Sequence, residues 1–132
     1  MSYVPPAASP PPTGAQGDER TLAILTHLSG LVGALVSAGW LGFVGPLVVW
    51  LVYRDRSPFL RASAAGSFNF NLSMWLLNAL AFVCFATILL IPVAIVLWVV
   101  AFVMLVVLHV LAVLRANRGE VYPYPLQVPV LR

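Results

Sequence analysis

The sequence contains very little charge, since Asp, Glu and Arg make up 8% of its 132 residues and lysine is absent. An ordinary soluble domain is about one quarter charged, and those side chains cover its surface. Hydrophobic residues account for 61% of this chain. A water-exposed globular fold is therefore excluded, and most of the protein surface must face lipid.

Reactive groups are equally scarce. Cys84 is the single cysteine, so an intrachain disulfide and a cysteine-based zinc site are both excluded. No carboxylate lies within the long apolar stretches, no serine has a nucleophile-elbow context, and no Gly-rich loop precedes a lysine. The seven arginines are too dispersed for a nucleic-acid surface. We therefore expect no enzyme, no cofactor and no nucleic-acid partner.

Prolines concentrate at the two ends of the chain. Residues 1–17 hold five of the eleven prolines and no charge, which is typical of a disordered tail. Residues 120–132 hold three more, which predicts an extended cytoplasmic tail. Tyr122 and Tyr124 are expected to rest at the level of the lipid headgroups. The alternative for this tail is a proline motif that binds a soluble partner.

Two long stretches, 21–53 and 62–114, contain no charged residue. As one helix the first would be about 50 Å long at about 1.5 Å per residue, against a hydrocarbon core of about 30 Å. A break at Ser37-Ala38-Gly39 therefore predicts two shorter helices, over 21–36 and 41–53. Each reaches only about 20–24 Å, so three arrangements remain open: the pair tilts little, thins the bilayer locally, or forms a hairpin that does not fully cross it.

The second stretch is long enough for two complete spans. Serine followed by proline is typical of a helix start, so we expect Ser57 to cap a third helix that begins at Pro58. Pro92 is expected to divide the stretch and to leave a fourth helix over 93–117. Gly119 is the expected stop signal for that helix. The predicted fold is all-α, an integral membrane protein of four helices in two hairpins.

Every charged residue lies in one of three groups that flank or connect these helices. With four helices all three groups lie on one face of the membrane, and the uncharged turns lie on the other. The positive-inside rule assigns the arginine-rich face to the cytoplasm. We therefore expect a multi-pass domain over 18–119 in the cell membrane, with both termini cytoplasmic and five arginines as cytoplasmic anchors: Arg54, Arg56, Arg61, Arg115 and Arg118.

Small residues recur along one side of the first predicted helix. In lipid, helices associate through close backbone approach at such residues rather than through the hydrophobic effect. A tight helix–helix seam is the favoured interpretation, and a substrate path along the same stripe is the alternative. The residues expected to pack are Gly30, Gly33, Ala34 and Ser37.

Four polar residues are expected to form one layer inside the membrane: His27, Asn69, Asn71 and His109. The two histidines lie at similar helical distances from charged ends, about 9–11 Å. Intramembrane ionisable residues are functional candidates by default. Three interpretations remain open: a neutral hydrogen-bonded network that fixes helix register, passage of protons or solutes, and ligation of a haem iron by the paired histidines.

Several short motifs together resemble a known family. They occur in the order His27-Leu28-Ser29, Gly45-Pro46-Leu47, Arg54-Asp55-Arg56-Ser57-Pro58-Phe59, Asn69-Phe70, Ala116-Asn117-Arg118-Gly119-Glu120 and Tyr122-Pro123-Tyr124-Pro125-Leu126. This pattern resembles the bacterial relatives of the twenty-kilodalton subunit of the chloroplast inner-envelope protein translocon. The resemblance implies a four-helix membrane protein with both ends on one side.

The segment after Arg61 departs from that family, which often carries histidine, lysine and glutamine there. This chain has Ser63, Ala65, Gly66 and Asn71 in the corresponding stretch. A function that relies on those polar groups in relatives is therefore not expected here, and protein import would be an analogy at the level of the fold.

The expected function is that of a small non-enzymatic multi-pass protein, a subunit or assembly partner of a larger membrane complex. Its expected partners are the lipid bilayer and other membrane proteins or further copies of itself. The alternative is a channel or carrier, for protein translocation or a small solute, with a polar path between the helices.

Overall fold

The structure is a computed structural model, and it describes residues 17–132. These residues form four α-helices and no strand, which confirms the all-α prediction. The expected disordered tail lies outside the described residues, apart from Gly17, which begins the first helix. The helices are α1 (Gly17–Val36), α2 (Val44–Tyr53), α3 (Pro58–Ala86) and α4 (Ile91–Asn117).

The turn between α1 and α2 is longer than predicted. Ala38 and Gly39 have positive φ values of 54° and 90°, which end α1 as expected at this run. The Ser37 hydroxyl then accepts a hydrogen bond from the Leu41 N–H at 2.7 Å and holds a compact turn. Because this turn occupies residues 37–43, α2 begins at Val44 rather than at residue 41.

The third helix begins where the sequence predicts. The Ser57 side chain accepts a hydrogen bond from the Leu60 N–H at 3.2 Å, and Pro58 occupies the first turn. Gly119, with φ 74°, follows the end of α4 as expected.

The division between α3 and α4 is not at Pro92. Residues 87–90 form the turn, with Ile88 at φ 61°, and Pro92 lies in the first turn of α4. Proline is tolerated there because a first-turn N–H has no acceptor within the helix.

The charged ends of all four helices meet at one end of the bundle. Ala23, Leu60 and Ala116 form a buried cluster there, and Tyr53 packs against it. Aromatic side chains gather toward the uncharged end: the Trp40 ring contacts Trp75 and Phe82, and Trp98 contacts Phe82 and Phe85. The bundle therefore has a charged end and an uncharged end.

Two helices, α3 and α4, are long and apolar enough to cross a membrane by length and composition. The two helices differ in burial. In an apolar stretch of 18 residues, 44% is buried inside the protein in α3 and only 11% in α4. The shorter apolar α2 has 10 residues, or about 15 Å. Most of α4 thus presents an apolar surface outward, while α3 is the central helix of the bundle.

Candidate functional site

A column of polar side chains runs along one face of α3. Ser63, Ser67 and Asn71 are spaced four residues apart, and none is more than 2% exposed. This spacing places them on the same side of a helix. The column faces α1 at Gly30, where an added Cβ atom would lie 3.1 Å from Ser67 Oγ.

Asn71 joins α3 to α4 through His109. Its Nδ2 lies 2.8 Å from the Ser67 carbonyl oxygen and 3.1 Å from His109 Nε2. His109 Nδ1 lies 2.8 Å from the Leu105 carbonyl oxygen, which can only accept, so Nδ1 carries a proton. The Nε2 atom must then accept the Asn71 N–H, and this hydrogen-bond pattern requires a neutral imidazole.

Tyr124 belongs to the C-terminal segment that follows α4, and it packs against the polar side chains just described. Its hydroxyl lies 2.9 Å from His27 Nδ1, and its ring stacks on Phe70 at 4.8 Å between centroids. The ring centroid is 5.8 Å from that of His27 and 5.6 Å from that of His109, so Tyr124 lies against both histidines. Burial raises the pKa of the Tyr124 hydroxyl far above its ordinary value, and the group stays protonated.

Three buried polar atoms of this region have no hydrogen-bond partner within residues 17–132: His27 Nε2, Ser63 Oγ and Asn71 Oδ1. Buried polar groups are usually paired, because an unpaired one costs about 1–3 kcal/mol. Their concentration around one column distinguishes this region from a fully satisfied network.

The structure brings together three residues of the expected polar layer, His27, Asn71 and His109. Asn69 does not join them. Its Nδ2 donates to the Leu131 carbonyl at 2.8 Å, and its Oδ1 accepts from the N–H groups of Val130 and Leu131 at 3.2 and 2.9 Å. Asn69 therefore holds the C-terminal segment rather than the centre of the bundle.

Sequence reasoning missed the burial of Tyr124, which was expected at the headgroups but is 5% exposed. One signal was present at Gly66, a glycine inside a long helix. A Cβ atom added there would lie 3.4 Å from Tyr124 Cδ2. A glycine inside a helix often marks such a close approach.

We expect Asn69→Ala to release the last residues of the chain from α3. The Leu131 amide loses its acceptor, while the Val130 amide keeps its bond to the Val128 carbonyl, so hydrogen–deuterium exchange should accelerate about tenfold at Leu131 and less at Val130 in detergent micelles. Ser73→Ala is the matched control, because the Ser73 hydroxyl accepts only from the Val128 N–H, at 2.9 Å. If both variants accelerated exchange equally at the Val128, Val130 and Leu131 amides, Asn69 and Ser73 would not be separate anchoring points for the C-terminal segment.

The four residues expected to form the helix–helix seam divide into two pairs. Gly30 and Ala34 face the other long helices, since an added Cβ at Gly30 would lie 2.8 Å from Asn71 Nδ2 and Ala34 is 3% exposed in the core. Gly33 instead faces the turn after α1, and Ser37 is the first residue of that turn. An added Cβ at Gly33 would lie 3.0 Å from the Leu41 carbonyl oxygen.

The five arginines expected as anchors are exposed at the charged end. Arg54 pairs with Asp55 at 3.6 Å and lies 5.0 Å from the Trp50 ring centroid, and Arg115 pairs with Glu120 at 3.2 Å. Exposed pairs of this kind contribute at most about 1 kcal/mol. Arg56, Arg61 and Arg118 complete the set.

The described residues offer little for a metal or haem. No group of three His, Cys, Asp or Glu side chains within residues 17–132 is placed to hold a metal ion. Both ring nitrogens of His109 are engaged, one by Asn71 and one by the Leu105 carbonyl. His109 is therefore not presented as an axial ligand to a haem iron.

Comparison with known protein families corrects the resemblance drawn from the motifs. Residues 18–131 match the model of the magnetosome magnetite crystal formation protein family, and not a translocon family. No curated protein and no solved structure matches the chain. The motifs misled because several serve local structure here: Ser57-Pro58 starts a helix, Gly119 ends one, and Tyr124 fills the bundle.

The family match covers nearly all of the described chain, and it agrees with two helices that are apolar and long enough to cross a bilayer. The chain is thus a small membrane protein that belongs to the magnetosome magnetite crystal formation protein family.

Proposed function

We propose that the chain is a four-span, non-enzymatic subunit of a membrane assembly that supports magnetite crystal formation. It contributes packing surface to other membrane proteins or to further copies of itself. The family match supplies the process. The observation that supports the packing role is the difference in length between α2 and the longer helices. Because α2 is short, the bundle is incomplete on the side of α2.

The α2 helix is too short for the bilayer it faces. Its 10 residues span about 15 Å, half of a hydrocarbon core of about 30 Å. Val48, Leu51 and Val52 on its surface are about half exposed. A short hydrophobic element is accommodated by thinning the bilayer or by oligomerisation, and a neighbouring protein covers this face without deforming the lipid.

The proposed topology follows from the two ends of the bundle. The positive-inside rule favours the charged end on the cytoplasmic side, which keeps both termini cytoplasmic. The turns at 37–43 and 87–90 then face the opposite compartment. Neither turn contains a carboxylate or histidine, so we propose that this protein organises the membrane around the crystal rather than binding iron itself.

Disulfide crosslinking in native membranes tests the packing role. In a Cys84→Ala background, Val48→Cys on the exposed face of α2 should form disulfide-linked dimers or crosslinks to a neighbour. Ser63→Cys, which is buried in α3, is the matched control and should form neither. Isolated monomers in mild detergent, without crosslinks from Val48→Cys or from Val103→Cys on α4, would overturn the proposal.

Accessibility labelling tests the topology separately. A membrane-impermeant maleimide added to sealed cells or vesicles should label Arg56→Cys and Arg118→Cys from the same side. It should label Ile88→Cys from the other side. Labelling of positions 56 and 118 from opposite sides would eliminate the four-span arrangement.

A channel or carrier is the second candidate, because two unpaired buried polar atoms lie in the column described above, and a third belongs to His27 of α1. Unpaired groups of this kind can bind water or a passing solute. Proton or solute flux into reconstituted vesicles, lost in His27→Ala and His109→Ala, would favour this function. Absence of flux, or flux unchanged in both variants, would remove it.

A further inference from the structure

The C-terminal segment, residues 120–132, turns back along α3 after α4 ends. The Val128 N–H bonds to Ser73 Oγ at 2.9 Å, and residues 126–128 line a groove together with Leu77 of α3. The most distant part of the segment, its tip, therefore lies beside α3 well beyond the first turns of that helix.

Both ends of the segment lie at the charged end of the bundle. Glu120 pairs with Arg115 in the last turn of α4 at 3.2 Å. At the other end, the Arg132 carbonyl accepts from Trp50 Nε1 at 3.3 Å, and Trp50 lies three residues before the end of α2. The segment is thus a loop that runs along α3 toward the uncharged end and then returns.

The tip of this loop lies beside the middle of α3, because Ser73 is 15 residues from Pro58 and 13 from Ala86. The 29 residues of α3 are about 43 Å long, whereas the hydrocarbon core is about 30 Å thick. If α3 crosses the bilayer, its part between about 13 and 30 Å from either end lies in the core wherever the helix is centred. Ser73, at about 22 Å, is therefore at the depth of the acyl chains.

The outer surface of the loop is apolar. Between Glu120 and Arg132 every exposed residue is valine, proline or leucine: Val121, Pro123, Pro125, Leu126, Pro129 and Val130. Leu126, at the tip, is 66% exposed. Of the polar side chains in this stretch, Tyr124 is buried and Gln127 donates to the Tyr124 carbonyl at 2.8 Å. A continuous apolar surface of this kind is suited to lipid rather than to water.

The backbone of the returning limb, residues 128–131, is also suited to lipid. In the bilayer core no water pairs with N–H groups, so non-helical backbone is tolerated there only where the protein pairs them. The N–H groups of the three non-proline residues in this limb are paired by Ser73, by Asn69 and by the Val128 carbonyl. The fourth residue is a proline, which has no N–H, and two more prolines remove donors from the limb that leads to the tip.

We propose that residues 120–132 form a re-entrant loop, whose outer surface contacts lipid acyl chains. The loop enters the hydrocarbon core from the charged face, reaches its greatest depth at Leu126 and returns to the same face. Only its ends, Glu120 and Arg132, reach water, so the segment is not an extended tail in the cytoplasm. The proposal requires that α3 cross the bilayer, but not the four-span arrangement or the packing role proposed above.

Spin labels test the environment of the loop in the full-length protein, reconstituted into phosphatidylcholine and phosphatidylglycerol vesicles. In a Cys84→Ala background, one nitroxide is attached at Leu126→Cys. Leu76→Cys, half exposed on α3 beside the tip, is the matched reference for hydrocarbon, and Arg118→Cys is the reference for water. Oxygen concentrates in hydrocarbon, whereas a nickel chelate stays in water. We expect the labels at positions 126 and 76 to relax more with oxygen, and the label at 118 to relax more with the chelate.

The other results would overturn the proposal in distinguishable ways. If Leu126→Cys responded mainly to the chelate while Leu76→Cys responded to oxygen, the loop would lie in water and the helical bundle would still span the membrane. A weak response of Leu126→Cys to both reagents would show that another protein covers the loop. If Leu76→Cys itself responded mainly to the chelate, α3 would not cross the bilayer, and the four-span arrangement would fail as well.

Thiol labelling in native membranes gives a second measurement. A membrane-impermeant maleimide should label Leu126→Cys at least about tenfold more slowly than Arg118→Cys, because the thiolate is the reactive form and a thiol in apolar surroundings stays protonated. Unfolding in sodium dodecyl sulfate should make the two rates equal. Equal rates in intact membranes would overturn the proposal.

Discussion

Replacing Tyr124 with alanine should destabilise the folded protein by about 3–5 kcal/mol, the cost of truncating a large buried aromatic side chain. Tyr124 is 5% exposed and stacks on Phe70, so its removal leaves a void between α1, α3 and α4. The void also leaves His27 Nδ1 without its hydroxyl partner. Thermal or denaturant unfolding in a fixed detergent measures the loss.

The hydroxyl alone is tested by Tyr124→Phe, with Tyr122→Phe as its matched control. We expect a cost of about 1–3 kcal/mol for Tyr124→Phe, because it leaves a buried histidine nitrogen unpaired. The half-buried Tyr122 contacts Tyr124 edge to face, but its hydroxyl makes no hydrogen bond within residues 17–132, so removing it should cost little. Equal losses in the two variants would show that the His27 contact contributes nothing.

Enlarging Gly30 should have the second large effect. An added Cβ atom would lie 2.8 Å from Asn71 Nδ2, closer than real Cβ contacts allow, and 3.0 Å from His109 Nε2, which is tighter than most. Gly30→Ala should therefore cost about 1–3 kcal/mol, as overpacking does, despite the higher helix propensity of alanine. Gly30→Leu should prevent α1 from packing on α3 and α4. Unfolding midpoints and size-exclusion profiles in detergent provide the measurement.

Gly17→Ala is the control for the effect of helix propensity on the stability of Gly30→Ala. Gly17 is also in α1, and no other side chain or distant backbone atom of residues 17–132 lies within 4 Å of the Cβ it would gain. We expect this variant to be neutral or slightly stabilised. If Gly30→Ala were as stable as Gly17→Ala, the close approach of the three helices around Asn71 would be refuted.

The helix boundaries were predictable where a local signal decides them. Ser57 before Pro58 and Gly119 after α4 act within a few residues, so the sequence alone locates both helix ends. Pro92 is ambiguous, because proline is equally compatible with a turn and with the first turn of a helix. The turn after α1 depends on tertiary contacts, since Asn78 of α3 donates to its Ala38 carbonyl.

The polar site was predictable only in part. Distance from the charged ends predicted that His27 and His109 lie at one depth, and the structure places both rings against Tyr124. Grouping Asn69 with Asn71 was wrong, because residues two apart on a helix point about 200° apart. Tyr124 is 97 positions from His27, and no local pattern specifies a contact over that separation.

The anchored C-terminal segment has a consequence for any soluble protein that recognises its prolines. Backbone groups of residues 128–132 are already hydrogen-bonded within the protein. Their partners are Asn69, Ser73 and the Trp50 indole, which donates to the Arg132 carbonyl at 3.3 Å. Such a protein competes with these intramolecular hydrogen bonds. Its apparent dissociation constant therefore equals the intrinsic constant divided by the fraction of molecules whose C-terminal segment is detached from the bundle. A synthetic peptide of residues 120–132 should accordingly bind that protein more tightly than the intact chain does.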